Sequence, residues 1–465
     1  MRRVLERNMG PSVLNRRWYW LGLVVIAASV PFHQPLLIVI GLLILIVVGT
    51  TDIWVTYCLE HVHYSRQFSE QKVLFGEEIT LSLSVENAKL LPLPWLEVED
   101  RVPRALTMSG QRSRVSLIGD TVILDNLFST RWYERVTRRY TVRCNMRGVH
   151  KFGPAGIRSG DVFGFLSNEK LLDEWQYLLV YPLIVPLMSF NLPSRHPFGD
   201  QRTPRRLLED PSRVIGIRDY AYSDSLRRVH WKATAHTMQL QSKVYEATTT
   251  YTLVLFLNVA TYIDAIHGIQ PEIQELSICA AASVADWALN EGYAVGLYAN
   301  TLMFLPEEQV QFEAEQQGEE APNLDATIAA QLKRRRIHLP PSSSEEQRKR
   351  IMEMLARILP SFGGSLEDII QTERTRLPAG ATVVVITSTM TERLLDTLAR
   401  IKQAGHAVSI LFASDTPSPL RLAGITLYHL GGSETWRNLE AMYSKDEDGS
   451  GKVSEFREKS VGFSL

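Results

Sequence analysis

The chain has 465 residues, with 50 lysines and arginines against 51 aspartates and glutamates, for a net charge of −1. That length holds two or three domains with a sizeable core, and the balanced charge provides no global field for nucleic acid or acidic substrates. The three cysteines, Cys58, Cys144 and Cys279, are scattered without CxxC spacing, which fits a reducing compartment and argues against a disulfide framework or a structural zinc site.

Residues 1–17 are basic, carrying Arg2, Arg3, Arg7, Arg16 and Arg17. Residues 18–57 read as two transmembrane helices. Trp18–Phe32 is apolar, Pro31 and Pro35 bracket a short turn, and Leu36–Tyr57 is apolar apart from Asp52; a span takes about 20 such residues. The turn has no Lys or Arg, so the positive-inside rule places the N-terminus and everything from residue 58 onward on the cytoplasmic side of the inner or plasma membrane. Trp18, Tyr19, Trp20, Trp54 and Tyr57 would then form one aromatic belt at the lipid interface. A cleaved signal peptide ending near Ala27-Ala28-Ser29 is the competing reading, and the long second apolar run argues against it.

Residues 60–185 read as all-β. Ile79–Val85 and Arg138–Arg143 alternate, and Trp95–Val98 and Thr121–Leu124 are strand-like. Gly and Pro punctuate the stretch at Gly76, Pro92, Pro94, Pro103, Gly148, Gly153, Pro154 and Gly160. Short strands with such turns predict a small immunoglobulin-like sandwich, with Asp161 as a turn residue. Residues 186–215 are rich in Pro and Arg and predict a linker wrapping a neighbouring surface. Many of the cations fall between Arg195 and Lys243. They are either solvated surface or a docking patch for an acidic partner.

In residues 216–246, Ser223 and Asp224 predict a helix N-cap. Leu226, Val229 and Ala233 follow at core-facing spacing, with Arg227, Arg228, Trp231 and Lys232 on other faces. From Thr252 the pattern alternates strand and helix. Thr252–Leu257, Tyr293–Tyr298, Ala381–Thr387, His406–Ala413 and Ile425–Leu430 are strand candidates, and Leu302–Leu305 a further short one. Glu272–Leu289, Leu324–Leu332, the stretch 345–359 capped by Ser344, Ser365–Arg374 and Thr391–Gln403 are helix candidates. Such alternation predicts a mostly parallel sheet covered on both faces. Residues 307–320 are an acidic, Gln-rich excursion, and residues 444–465 a polar tail expected to be disordered.

The order Arg218, Tyr220, Asp224, Arg227, Trp231, Lys232 and Ala235 resembles the signature of domain-of-unknown-function family 58. Ser223 stands where that family has Gly, and His236 where it has Arg. The stretch RGVHKFGPAGIRSGDVFGF (147–165) is similar to the segment that precedes the signature in the family. The resemblance implies a membrane-anchored bacterial protein with a von Willebrand factor A-like α/β domain over residues 216–443 and a MoxR-type AAA+ ATPase as partner.

In the von Willebrand factor A fold, an Asp-x-Ser-x-Ser loop after the first strand helps to hold Mg²⁺. Here the matching positions are Asn258, Ala260 and Tyr262, and Ser388 stands where a later Asp is expected. A hard cation wants carboxylate oxygens, so these positions read as a degenerate metal site with no metal and no cofactor, although Asp264 lies close by. No GxSxG, HExxH, Walker A or GxGxxG sequence is present. His230 and His236 lie about 600° apart on a regular helix, which separates them as ligands.

The signature residues are then either a structural clamp or a partner surface. In the clamp, Asp224 caps the helix and pairs with Arg227, and Trp231 packs on the sheet. The expected function is that of a membrane-tethered, non-enzymatic adaptor with no nucleic-acid partner. The alternative is a metal-dependent ligand-binding or hydrolytic protein using strand-end carboxylates.

Overall fold

The computed structural model describes residues 13–32, 34–108, 113–115, 121–162, 166–190, 192, 198, 209–222, 224–247, 251–261, 269–304, 336–359, 364–378, 380–418 and 424–444. Several expectations lie outside the described residues: the arginines at 2, 3 and 7, most of the linker arginines, Ser223, Tyr262, Asp264, the acidic excursion, the helix at 324–332 and nearly all of the tail. The chain divides into two compact units, one running up to Pro182 and the other covering most of Leu183–Leu439.

The first unit begins with two helices, α1 (Val13–Phe32) and α2 (Pro35–Tyr57). Pro35 stands in the first turn of α2, where its missing N–H costs nothing and its fixed φ suits a helix. The two helices pack along each other. At Gly41 a Cβ would come within 3.0 Å of the Gly22 carbonyl oxygen, so the pair of glycines permits the close approach typical of small-residue helix contacts. By length and composition α2 is a candidate membrane span, 23 residues long.

Twelve strands follow among the described residues: β1 (Val62–Phe68), β2 (Lys72–Val73), β3 (Glu78–Asn87), β4 (Leu93–Pro103), β5 (Thr107–Met108), β6 (Ser113–Val115), β7 (Thr121–Thr130), β8 (Arg135–Arg143), β9 (Gly148–Phe152), β10 (Ala155–Gly160), β11 (Ser167–Leu172) and β12 (Gln176–Val180). They form sheets ordered β1-β3-β8-β5, β11-β10-β4-β7-β6 and β2-β12-β9. Alternation sets the inward face, as in β3, where Ile79, Leu81, Leu83 and Val85 are buried. All three sheets contribute to one apolar core, and Cys58 and Leu59, just past the end of α2, belong to it, with Trp54 packed against it. Asp161 is the turn residue expected: its Oδ1 accepts the Leu166 N–H at 2.7 Å.

Within this core Arg66 and Asp100 are 2% and 0% exposed, with Arg66 Nε 3.5 Å from Asp100 Oδ2. Tyr64 donates its hydroxyl to the same oxygen at 2.7 Å, and Arg66 Nη2 donates to the Glu174 carbonyl at 2.6 Å. Burial pushes the Asp100 carboxyl above its ordinary range despite the guanidinium beside it.

In the second unit β13 (Glu209–Asp219) and β14 (Gln241–Ala247) form a two-stranded antiparallel ribbon, separate from a six-stranded sheet. That sheet contains β15 (Thr252–Leu257), β16 (Ala294–Leu302), β17 (Arg336–Ser342), β18 (Thr382–Thr387), β19 (Ala407–Ala413) and β20 (Thr426–Gly431), in the order β17-β16-β15-β18-β19-β20. All neighbours are parallel except β16 and β17. Strand β16 ends at Leu302, the first residue of the separate short strand expected at 302–305; beyond it Met303 makes an isolated bridge to Ile358.

Among the described residues six helices accompany these strands: α3 (Trp231–Thr237), α4 (Pro271–Asn290), α5 (Glu345–Ala356), α6 (Leu366–Glu373), α7 (Glu392–Gln403) and α8 (Ser433–Ser444). The face carrying Val254, Phe256, Val383, Val385, Val408 and Ile410 packs on Leu366 and Ile370 of α6 and on Leu394, Leu398 and Ile401 of α7. Helix α4 covers the opposite face and is itself buried nearly all round. Ser344 occupies the N-cap position of α5 without a side-chain cap bond; Ser342 Oγ instead accepts the Ser344 N–H at 3.2 Å.

The Pro/Arg-rich stretch is more than a connector. Leu187, Phe190, Leu192 and Phe198 are buried. The Val185 N–H donates to Ser283 of α4 at 3.0 Å, and Phe198 meets Trp287 edge-on with 5.8 Å between centroids.

Candidate functional site

Two places carry the residues singled out by sequence. The first is the segment bridging β13 and β14. Asp224 is the pivot of a turn: Oδ2 accepts the Ala221 N–H at 3.1 Å, Oδ1 receives Arg218 Nη2 at 2.6 Å, and the Asp224 carbonyl accepts the Tyr220 hydroxyl at 3.0 Å. The backbone bond from Ala221, reinforced by Arg218, holds the Asp224 carboxyl below its usual range. Asp219 and Gln241, paired at the ribbon's end, are joined again by Gln241 Nε2 to Asp219 Oδ1 at 2.7 Å.

A continuous helix capped at Asp224 does not form. Ser225 caps a single 3₁₀ turn, Leu226–Arg228. Val229 then goes extended, buried in a bridge to Ser242. His230 restarts the chain as N-cap of α3, its Nδ1 accepting the Ala233 N–H at 3.0 Å. Burying Val229 against the ribbon outweighs continuing a helix whose other residues face solvent.

Three expectations are corrected by this geometry. Leu226 is exposed rather than core-facing, and α3 contains no buried residue. The carboxylate of Asp224 pairs with Arg218, which the turn brings back beside it, instead of with Arg227. Trp231 is 68% exposed, where packing on the sheet was expected. Thus Arg218, Tyr220 and Asp224 converge into a lock, while Arg227, Trp231 and Lys232 lie on exposed surface. Beside the lock a cleft of ≈ 390 Å³ is lined by Asp219, Tyr220, Tyr222, Gln239 and Leu240.

The second place is the carboxyl end of the sheet between β15 and β18, where strand order reverses and open α/β sheets hold their ligands. Asn258 is buried there. Its Oδ1 accepts the Ala260 N–H at 3.1 Å and Asn300 Nδ2 at 2.7 Å. Its Nδ2 donates to Thr387 and Thr389 Oγ1, both at 3.0 Å. A backbone N–H can only donate, so the bond from Ala260 fixes which side of the amide is oxygen. All four hydrogen-bonding positions of Asn258 are taken. Ser388 Oγ donates to the Ala260 carbonyl at 2.7 Å and ties the two loops together.

Several members of this network were not anticipated. Asn300 accepts the Val259 N–H at 2.8 Å and donates to the Gly364 carbonyl at 2.7 Å. Gln274, buried on α4, donates to the Val259 carbonyl at 3.0 Å. Glu367 accepts Thr391 Oγ1 at 2.6 Å and Ser365 Oγ at 3.0 Å. Burial alone would raise the Glu367 carboxyl, but these bonds and one from its own backbone keep it below the ordinary range. The available signal was polar: Asn300 and Thr301 follow a mainly apolar buried run in β16. Among the described residues no three His, Cys, Asp or Glu side chains are grouped to hold a metal ion.

No protein-family model matches the chain. Among curated proteins it is similar to the "Uncharacterized protein YeaD" of Bacillus subtilis (strain 168), 24% identical over 204 residues, which are 43% of this chain and 49% of that protein. The chain spans about half the length of the curated relative it matches. Among solved structures, a cohesin module from a Clostridium perfringens family 33 glycoside hydrolase is 11% identical, covering 26% of this chain and 96% of that one with a TM-score of 0.20. A β-glucosidase from Listeria innocua is 8% identical, covering 26% of this chain and 16% of that one with a TM-score of 0.16. At those scores neither likeness bears on fold or function.

Proposed function

We propose that the chain is a membrane-tethered adaptor that works by binding other proteins, without catalysing a reaction. Helices α1 and α2 are its two-span anchor, the β-rich unit an immunoglobulin-like sandwich, and the second unit a von Willebrand factor A-like domain, all on the cytoplasmic side. The family-58 resemblance supplies the partner, a MoxR-type AAA+ ATPase, and the process, assembly or maturation of another protein. The strand order with one antiparallel edge supports the α/β assignment, and the length and apolarity of α2 support the anchor.

The observation that carries the adaptor role is the exposure of Trp231 with Arg227 and Lys232 on a segment locked from behind by Arg218, Tyr220 and Asp224. A large aromatic flanked by cations and left in water is the composition of binding hot spots. A lock beneath it lowers the ordering cost on association. The strand-end chemistry points the same way. A hard cation takes oxygen lone pairs, and the side chain at the matching position, Asn258, turns its amide hydrogens onto two threonine hydroxyls.

The test is capture from membranes. The full chain should retain the ATPase, the Trp231→Ala variant should lose it, and the two should melt at the same temperature. Equal capture by both would overturn the role of this surface. A rise in melting temperature with Mg²⁺ would favour the metal-dependent alternative, for which Glu367, bonded to Thr391, is a described carboxylate.

A further inference from the structure

Helix α2 does not end in a free linker. Cys58 and Leu59 are buried in the core of the β-rich unit, and β1 starts at Val62. The residues at the helix end are also bonded to loop 88–92, which in turn holds loop 131–134. Lys89 Nζ donates to the carbonyls of Cys58 and Glu60, each at 2.5 Å, and the Ala88 N–H donates to the His61 carbonyl at 2.9 Å. The Tyr133 N–H donates to the Lys89 carbonyl at 3.3 Å. Asn87 Nδ2 reaches the carbonyls of Leu91 and Arg131, both at 2.9 Å. Loops 88–92 and 131–134 therefore sit at the pole of the unit where α2 enters it. Strand register agrees, pairing Leu93 with Thr130 at this end.

The same pole carries large apolar side chains in water. Leu90 is 74%, Trp132 61% and Tyr133 67% exposed, and Tyr57 at the helix end is exposed as well. Tyr133 is held with φ at +51°, a conformation a bulky residue adopts only when its surroundings impose it. A span of 23 residues is about 35 Å long at 1.5 Å per residue, against about 30 Å of hydrocarbon, so its end falls in the headgroup layer. Trp and Tyr concentrate at that depth because one end of each ring is apolar and the other polar.

We propose that Leu90, Trp132 and Tyr133 form a second membrane contact, seated in the headgroup layer beside the exit of α2, so that the β-rich unit lies against the bilayer. The occupant is lipid, argued from continuity with the span, and the proposal rests on α2 crossing the membrane. Loop 131–134 adds Arg131, exposed next to the aromatic pair and suited to anionic headgroups. The contact requires no rearrangement, because loop 88–92 is already bonded at the helix end and loop 131–134 is bonded to it.

The test uses the full chain in vesicles of phosphatidylethanolamine and phosphatidylglycerol, with an environment-sensitive fluorophore on single introduced cysteines; the three native thiols are buried. Labels go at position 90, at position 46 within α2, and at position 146 beyond the far end of β8, whose 9 residues span about 30 Å. Quenching by a lipid carrying a shallow nitroxide is expected at 90 and not at 146, with quenching by a deep nitroxide at 46. Replacing Trp132 and Tyr133 together by Ser should abolish the signal at 90 and leave that at 46. If 46 is quenched while 90 and 146 are equally exposed to water, the second contact is wrong and the span stands. If 46 itself is not quenched, the span is wrong and the contact falls with it.

Discussion

Asn258, just past β15, and Asn300, on β16, are joined amide to amide at 2.7 Å, both buried, beside the point where the strand order of the sheet reverses. Neither side chain is charged, and each also receives a backbone N–H from the 258–260 loop. The loop is thus shaped by neutral hydrogen bonds at a place where related architectures hold ligands.

Asn258→Ala removes the acceptor from the Ala260 N–H and from Asn300 Nδ2. A buried donor left unsatisfied costs about 1–3 kcal/mol, so the variant should melt well below wild type. Asn258→Asp keeps both of those acceptor bonds and replaces the amide hydrogens with an oxygen. It should be destabilised at neutral pH and recover part of the loss on adding Mg²⁺. Thermal melts of the three proteins with and without Mg²⁺ check this, and equal stability of all three would refute the network's role.

Arg66 and Asp100 make the opposite kind of pair, charged and enclosed. Arg66→Met strands a buried carboxylate and should cost about 3–5 kcal/mol, whereas Arg66→Met with Asp100→Leu should regain most of it. Denaturant unfolding of the single and double variants measures the difference. A double variant no better than the single one would show that the carboxylate is not the source of the loss.

Asp224 has a depressed pKa in the folded chain relative to its ordinary 3.8. The unfolded state therefore binds the proton first as pH falls. The contribution is fully present above 3.8 and is lost as pH drops through the lower folded value. Hydrogen exchange at the Ala221 amide should accelerate in that acid window, and Asp224→Asn should show less of the acceleration. A flat response across the window would mean that the turn does not depend on the charge.

Cys144 is buried, and its thiol is pushed up to about 12 from 9.0, chiefly by burial. Between those values the unfolded chain has lost the proton and the folded chain keeps it, so stability should decline as pH rises through that window. Cys144→Ala should flatten the decline, whatever it costs at neutral pH. Guanidinium titrations at successive alkaline pH values provide the slope.

Exposed Trp231 should behave as a surface residue in stability, with Trp231→Ala within about 0.5 kcal/mol of wild type. Leu398→Ala, in the core between α7 and the sheet, should cost about 2–5 kcal/mol. A Trp231 variant as unstable as the Leu398 variant would return that residue to a structural role.

The buried strands were legible because burial on both faces writes continuous apolar runs: Thr252–Leu257 and Thr382–Thr387 fall where those runs do. Their order was not, since pairing between β15 and β18 joins segments more than a hundred residues apart. Around Asp224 local rules misled. A cap residue followed by three- and four-residue spacing normally starts a helix, but here Val229 gained more by leaving it for a bridge to Ser242. The same displacement turned Trp231 outward and gave Arg218, instead of Arg227, to the carboxylate. At the strand ends Asn258 and Ala260 were visible in sequence, whereas the amide network around Asn258 depends on Asn300, brought there by the fold.

The burial of Cys58 and Leu59 has a mechanical consequence. A chain that passes from helix to strand through a packed core has no swivel at the junction, so a torque on the β-rich unit is delivered to α2 as tilt or rotation. Such a torque would reach the helix undamped, as through a lever more than a leash.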